Sequence, residues 1–445
     1  MTTERRKIFF AGLGCAKNQV DGELMLGRAR AEGHEVVSDS AAADVLVVNT
    51  CAFIDTAREE SIDKILELAR TKAARDGRRL VVTGCLAERY GEELAREIPE
   101  IDALVGTGAL DRFPAAIESR GGTMFRGAKH YLPSADMERE LADSDGSAYI
   151  KVSEGCDHDC AFCVIPQIRG RHQSRAIDDV VDEAERLVAR GIVEVNLIAQ
   201  DLSAYGRDRG VEDGLAALLY RLGRVGGLDR VRCFYLYPNT LADSALEAIA
   251  RVDNVCKYVD LPLQHADAEV LRSMRRARGA DQLRRILDRV RARMGDPVIR
   301  TAFIVGYPGE TDAAFERLRS FVEEVRFDHV AVFRYSPEEG SAAAELPSRV
   351  PRHVAEFRRD RLLAVQELIA EDRLARHIGR VERVLVCGRD EEGRWYGRTD
   401  GQAPEIDGVT YLDGDCSASK GKCVPVSVTG SDAYDLYAER VQPAS

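Results

Sequence analysis

Glu154-Gly155-Cys156-Asp157-His158-Asp159-Cys160-Ala161-Phe162-Cys163 sets three cysteines at CxxxCxxC spacing directly after a strand-like run, residues 148–153. The chain has 11 cysteines in 445 residues. At about one per 40, a given cysteine has partners at both +4 and +7 by chance only about once in 1,600. Thiolates a few residues apart converge on one point without long-range folding, so a loop of this kind wraps a metal centre. Structural zinc wants four ligands, and only His158 stands locally as a fourth. A cuboidal four-iron cluster also normally takes four cysteines, so three leave one iron uncapped. An open position marks catalytic rather than structural metal sites. Zinc and plain electron transfer remain the alternatives at this point.

A chain of 445 residues has room for about three domains, each with its own core. No uncharged apolar run approaches the roughly 18 residues that span a bilayer, and the start, Met1 to Phe10, has too short an apolar stretch for a signal peptide. A cytoplasmic protein with no membrane partner is expected. An odd number of cysteines with motif-like spacing argues for metal binding over a disulfide framework. The formal net charge of -12 disfavours general polyanion binding, so no dedicated nucleic-acid contact is expected beyond a local one.

Before the cysteine loop, three strand-helix units follow one another. Residues 7–13 read as a strand, Gly14-Cys15-Ala16-Lys17-Asn18 as a turn and residues 20–32 as a helix ended by Gly33. Residues 44–49 and 79–83 read as further strands, ending in Thr50-Cys51 and Gly84-Cys85, with helices from about Thr56 and Ala87. Alternation of this kind predicts a doubly wound parallel sheet, where ligands collect beyond the carboxyl ends of the strands. A lone cysteine there is more often a small core residue. Three in the same position, Cys15, Cys51 and Cys85, read as a second iron-sulfur site, again with an open iron.

The N-terminal unit is placed at residues 1–120 and a linker at 121–147, on Gly121-Gly122, Pro133 and Asp143-Ser144-Asp145-Gly146. Residues 148–376 hold six predicted strands, near 148–153, 193–199, 231–235, 257–261, 299–305 and 329–333. They fit an open, partial (β/α)6 barrel that carries its chemistry at the carboxyl ends of its strands. Gln200-Asp201, Tyr237-Pro238, Gln264-His265 and Gly306-Tyr307-Pro308-Gly309-Glu310 stand at such ends. The ten arginines between Leu271 and Arg300, against three aspartates, read first as a solvated helix face and second as a contact with ribosomal RNA. Residues 350–376 read as a long amphipathic helix. From 379 to 445 short strands with turns predict a small β-barrel. Its Trp395 is either packed or used in recognition. Cys233, Cys256, Cys387, Cys416 and Cys423 are read as structural.

The ordered set Gly14-Cys15, Asn49-Thr50-Cys51 and Thr83-Gly84-Cys85, then CxxxCxxC with Phe162 before its last cysteine, then a small terminal barrel, resembles the radical S-adenosylmethionine enzymes of the methylthiotransferase family over nearly the whole chain. The resemblance implies two [4Fe-4S] clusters. One sits on Cys15, Cys51 and Cys85, and one on Cys156, Cys160 and Cys163 binds S-adenosylmethionine. Phe162, Gln200, Asp201, Gln264, His265, Gly306, Gly309 and Glu310 are the expected cofactor contacts, and the terminal barrel corresponds to a TRAM domain. Several stretches resemble the branch that modifies ribosomal protein rather than transfer RNA: Gly14-Cys15-Ala16-Lys17-Asn18, residues 200–206 and 261–266, Ala403-Pro404-Glu405-Ile406-Asp407-Gly408, and Tyr434-Asp435-Leu436. That branch implies β-methylthiolation of an aspartate in small-subunit ribosomal protein twelve, with a low-potential donor such as flavodoxin or ferredoxin. A transfer RNA adenosine methylthiotransferase is the alternative enzyme, and an iron-sulfur electron carrier or scaffold the alternative of another class.

Charge bears on the choice of substrate. From Arg380 to Ser445 there are eight basic and twelve acidic residues, a net of -4. A module that grips transfer RNA must neutralise phosphates, whereas an acidic one suits a basic ribosomal protein. A module acting only in recognition predicts that a chain cut before Gly379 keeps cleavage of S-adenosylmethionine and loses substrate modification.

Overall fold

The computed structural model describes residues 5–127, 131–141 and 145–441. Residues 1–4 of the start, Asp143 and Ser144 of the expected linker, and the last four residues lie outside them.

The apolar runs before Cys51 and Cys85 are buried along their whole length, as strands covered on both faces must be. They are β3 (Val45–Thr50) and β4 (Arg79–Gly84), and with β1 (Lys7–Gly12), β2 (Glu35–Val37), β5 (Ala103–Val105) and β6 (Thr123–Phe125) they form one parallel sheet of order β2-β1-β3-β4-β5-β6. Helices α1 (Ala16–Ala31) and α4 (Phe113–Glu118) pack on one face, α2 (Asp55–Ala73) and α3 (Cys85–Glu97) on the other. The strand order reverses between β1 and β3, the switch point where such a sheet collects ligands. In register, Gly12 faces Asn49, Asn49 faces Thr83 and Thr50 faces Gly84, so the chain leaves β1, β3 and β4 side by side into Cys15, Cys51 and Cys85.

Three local expectations change. Helix α1 begins at Ala16 rather than Val20, and α3 at Cys85 itself. β2, β5 and β6, of three residues each, are too short to show a period. β6 lies inside the stretch expected as linker, because an unpaired edge on β5 is covered by adding a strand.

The central part opens with β7 (Ser147–Lys151), the short pair β8 (Ser153–Glu154) and β9 (Gln173–Ser174), and α5 (Ile165–Arg169) between them. Then β10 (Glu194–Ile198), β11 (Arg230–Cys233), β12 (Tyr258–Asp260), β13 (Val298–Val305) and β14 (His329–Arg334) alternate with α6 (Ile177–Ala189), α7 (Gly214–Leu222), α8 (Asp243–Arg251), α9 (Ala268–Ser273), α10 (Ala280–Met294) and α11 (Asp312–Val325), before α12 (Arg352–Ala375). The parallel strands form two halves, β7-β10-β11 and β12-β13-β14. Backbone bonds from Val231 N to Asn254 O (2.7 Å) and from Leu236 N to Asp260 O (2.9 Å) join them. Among the described residues β14 does not pair with β7, so the barrel is open. The arginines of α10 are largely neutralised: Arg284 pairs with Asp281 and Glu324, and Arg289 and Arg293 with Asp243. That is the solvated-face reading.

The terminal strands β15 (Val381–Arg389), β16 (Trp395–Arg398), β17 (Thr410–Leu412), β18 (Cys423–Ser431) and β19 (Leu436–Arg440) close a barrel of order β15-β16-β17-β19-β18. The sequence reading missed β19. Trp395 is packed in the barrel core with Cys416, under the Arg389 guanidinium.

This terminal barrel is not a detachable recognition module. Arg398 leaves it to donate to Glu194 Oε1 at 2.8 Å and Asp145 Oδ2 at 3.0 Å. Arg230 and Arg232, buried at the start of β11, donate back to the carbonyls of Arg398 and Asp400, each at 2.7 Å. Residues 399–408 then enter the central barrel. Tyr258 donates to Asp407 Oδ2 at 2.7 Å, and Ala403 packs with Tyr149, Ile198, Phe234 and Tyr258, beside Val20 and Leu24 of α1. The open barrel is thus filled by two parts of the chain that are not its own strands. Cutting before Gly379 would remove Arg398 and the carbonyls that meet Arg230 and Arg232, leaving these two and Glu194 chiefly with one another, so the cut is expected to weaken the central barrel as well as recognition. Arg398→Met leaves Glu194 buried without its closest cation, which costs about 3 kcal/mol or more. Urea unfolding followed at the central barrel should show that loss, and an unchanged midpoint would mean that the two barrels are energetically independent.

Candidate metal centres

The loop that carries Cys156, Cys160 and Cys163 is held at both ends. Glu154 pairs with Gln173 across the short β8–β9 ladder, and Cys156 N donates to Gly170 O at 3.1 Å. Gly155 has φ +79, and a Cβ there would stand 2.1 Å from Arg171 O, so only glycine lets the two chain segments meet. Further on, Ala161 N donates to Met274 O (3.1 Å), Ala343 N to Ala161 O (2.8 Å) and Cys163 N to Cys160 O (3.1 Å). Phe162 packs beside Ala161, Val270, Met274 and Tyr307, which makes it the apolar anchor of the loop.

All three thiols are free and half-buried. Burial pushes Cys156 up to about 11 and Cys163 up to about 12, so they stay protonated until a metal centre takes them as thiolates. Arg276 Nη1 lies 3.5 Å from Cys160 Sγ, while the same guanidinium stacks on the Tyr237 ring at 4.2 Å. His158, the one local fourth ligand for zinc, is already engaged. Its Nε2 pairs with Asp201 Oδ2 at 2.7 Å and its ring stacks on Tyr237 at 3.6 Å. Among the described residues no three His, Cys, Asp or Glu side chains close on a single ion. A single zinc draws its thiolates to about 2.3 Å from one point, whereas a cuboidal cluster takes each on a different iron. The donor set therefore fits a cluster with three protein ligands.

The second triad is knitted together by Asn18. Its Nδ2 donates to Thr50 O at 2.7 Å and Leu13 O at 3.3 Å, which ties the loop of Cys15 to that of Cys51. Asn49 Nδ2 returns a bond to Asn18 O at 2.7 Å, and Thr83 Oγ1 donates to Asn49 Oδ1 at 3.1 Å, bringing in the strand before Cys85. Burial pushes Cys51 up, and Cys85 up to about 12. Burial acts on Cys15 as well, but Lys17, Arg169 and the N–H groups of Asn18 and Lys17 outweigh it and hold that thiol below its ordinary value.

Arg169 connects the two triads. It closes α5, six residues beyond Cys163, and its Nη2 lies 2.6 Å from Asn18 Oδ1 and 3.5 Å from Cys85 Sγ. Nη1 lies 3.0 Å from both Asp21 Oδ2 and Glu154 Oε2. Lys151 bridges the same two carboxylates, and Gln200 Nε2 donates to Glu154 Oε1 at 2.5 Å.

The expected cofactor contacts divide. Gln264 is half-buried at φ +74, with a side-chain amide that makes no hydrogen bond among the described residues. Gln200 Oε1 is a buried acceptor without a partner. Both remain candidates. Asp201, His265 and Glu310 have enclosed side chains that are already paired within the protein. Asp201 is taken by His158 and Ser203 N, and His265 Nε2 by Glu310 Oε1 at 3.1 Å. Glu310 Oε2 is taken by Gly306 N and Arg358. They brace the barrel mouth from behind. Gly306, at φ +74, is required for another reason, since a Cβ would stand 2.4 Å from Ala355 Cβ of α12. A Cβ on Gly309 would meet open space, and its N–H donates to Ser348 O at 2.9 Å. Sequence reasoning did not single out Arg169, Arg276 or Tyr235, because arginine and tyrosine at ordinary spacing give no signal until the fold brings them to a thiolate or a cation.

An open parallel barrel with a CxxxCxxC loop after its first strand defines the class, the radical S-adenosylmethionine proteins, and residues 150–322 match the Radical SAM superfamily. Residues 7–106 match the uncharacterized protein family UPF0004 and 378–441 the TRAM domain. The chain is 47% identical over 443 residues to "Ribosomal protein uS12 methylthiotransferase RimO" of Sorangium cellulosum, covering 98% of this chain and 91% of that one. It is 44% identical to the protein of that name in Syntrophotalea carbinolica, covering 99% and 98%. The chain belongs to the RimO family of ribosomal protein uS12 methylthiotransferases. Among solved structures, the radical S-adenosylmethionine methyltransferase TsrM from Kitasatospora setae has the same fold over 76% of this chain and 75% of its own, with a TM-score of 0.56 at 16% identity.

Gly155→Ala should release the loop from Arg171 and lose about half of the bound iron, since each triad accounts for about four irons. Iron and sulfide analysis after anaerobic reconstitution reads this, and full iron in the variant would contradict the geometry.

Proposed function

We propose that this chain carries out methylthiolation of ribosomal protein uS12, on the β-carbon of an aspartate. Cys156, Cys160 and Cys163 hold the [4Fe-4S] cluster that binds S-adenosylmethionine, and Cys15, Cys51 and Cys85 hold the second. The observation that carries the reading is the shared guanidinium of Arg169, which reaches from the segment after Cys163 to Cys85 Sγ at 3.5 Å. When bound, the clusters and S-adenosylmethionine supply one-electron chemistry and sulfur, which side chains cannot offer at an unactivated carbon beside a carboxylate.

The chain's own residues do the rest. Arg276 brings an N–H group to Cys160 and Arg169 one to Cys85, where their charge would offset that of a bound cluster. The His158–Tyr237 stack, backed by Asp201, walls the radical triad with aromatic surface and limits water beside it. Asn18 fixes the loops of the second triad to one another. Among the described residues no helix is long and apolar enough to cross a membrane, in keeping with work in the cytoplasm on a ribosomal substrate. A low-potential donor of the flavodoxin or ferredoxin type would feed the electrons.

The terminal barrel supports the protein substrate over transfer RNA. Its Arg398 is turned inward, Arg394 pairs with Asp390, and Arg383 lies 3.6 Å from Asp229, so much of its small basic complement is already neutralised. A carrier or scaffold has no use for two triads that each leave an iron open.

Anaerobic reconstitution should give about eight irons per chain, halved when either triad is replaced by alanine. Loss of Cys156, Cys160 and Cys163 should abolish cleavage of S-adenosylmethionine, and loss of Cys15, Cys51 and Cys85 should leave cleavage without sulfur transfer. With uS12 and transfer RNA offered together, mass spectrometry should find the methylthio group on an aspartate of uS12. Finding it on transfer RNA adenosine alone would move the assignment to the alternative enzyme.

A further inference from the structure

Lys17 is a buried lysine in an unusual setting. It is 8% exposed, and among the described residues no carboxylate pairs with it. Its ammonium lies 3.4 Å above the centre of the Tyr235 ring and 3.4 Å from Ala199 O. A π face and one long carbonyl contact leave donor capacity unfilled on the ammonium.

Its contacts lead toward both triads. On one side it is two residues from Cys15. On the other, Ala199 precedes Gln200, whose amide holds Glu154 just before the radical loop. Tyr235 is two residues before Tyr237, which carries the stack of His158 and Arg276 beside Cys160. The platform beneath Lys17 is also built at a cost in backbone freedom. Tyr235 is a non-glycine residue at φ +58, pinned there by its N–H on Asp260 Oδ2 at 2.9 Å and by its carbonyl on Leu202 N at 3.1 Å. Residues held in that region cluster where function requires them. The Tyr235 hydroxyl makes no hydrogen bond among the described residues, so it stands as a second donor beside the ammonium.

We propose that Lys17, laid over Tyr235, is the receptor for the carboxylate of the aspartate being modified, and so determines specificity for an acidic side chain. This rests on the aspartate reading of the substrate. A carbon that must be reached from both triads lies between them, and the carboxylate one bond away then meets the cation that the fold has left unpaired there. An uncharged target side chain would leave Lys17 without a carboxylate partner, which is how a buried charge discriminates between near-isosteres.

The test uses the cluster-loaded enzyme with uS12 and with uS12 whose target aspartate is replaced by asparagine, measuring equilibrium binding as well as modification. The native enzyme should prefer the aspartate form by at least about tenfold in affinity. Lys17→Met, with its iron content intact, should bring that ratio close to one, and Lys17→Arg should restore part of it. An unchanged ratio in Lys17→Met overturns the proposal. So does loss of iron in Lys17→Met and Lys17→Arg alike, which would make the lysine a structural support of the Cys15 loop. Equal binding of both forms by the native enzyme overturns the receptor while aspartate methylthiolation stands. Native enzyme that modifies transfer RNA and neither form of uS12 overturns both.

Discussion

Arg169 is the contact on which the arrangement of this molecule depends. Its guanidinium is almost wholly enclosed, and it answers four groups from three segments of chain: Asn18 and Asp21 of α1, Cys85 of α3 and Glu154 at the entry to the radical loop. With Lys151 it makes a buried set of two cations and two carboxylates, Asp21 and Glu154. Such a set balances its own desolvation only while every member is present, and removing one leaves a buried charge whose cost is about 3–5 kcal/mol. The N-terminal sheet and the central barrel therefore cannot drift apart without unpairing it. A reaction that needs two metal centres at one substrate carbon needs that rigidity.

The same logic runs through the barrel interior. An open barrel of six strands exposes an inner face rich in polar groups, including Arg230, Arg232, Glu194 and Asp260. Glu194, Arg230 and Arg232 are met from outside the barrel, by Arg398 and by the carbonyls of Arg398 and Asp400, whereas Asp260 pairs within it, with Arg300 and the N–H of Tyr235. The cost of burying charge is met by making three units interdependent.

Much of this was legible in the sequence. The long β-branched runs of β3, β4 and β13, the even spacing of Cys15, Cys51 and Cys85 after successive strands, and the CxxxCxxC loop all carry short-range signals that survive without coordinates. What was not legible is long-range. β2, β5 and β6 are too short for any period and exist because a neighbouring edge needs covering. His265 and Glu310 stand in loops where contact with a cofactor is expected, yet each satisfies the other within the protein, and a sequence does not show which polar residues find protein partners. The stretch Ala403 to Gly408, which carries part of the family resemblance, lies within the expected terminal barrel, but its Ala403 and Asp407 plug the central one. Arg169 and Lys17 carry the site through partners far away in sequence, 151 residues for Arg169 with Asn18 and 182 for Lys17 with Ala199.

The central claim is that both metal centres face one space at a fixed short separation. Electron paramagnetic resonance of the reduced, fully reconstituted protein tests it most directly, against spectra of the two variants that each lack one cysteine triad. Two reduced clusters held together by the Arg169 network should interact magnetically, so the full protein should show a broadened or split signal that differs from the sum of the two variants. A spectrum equal to that sum, with both clusters reduced, would contradict the account.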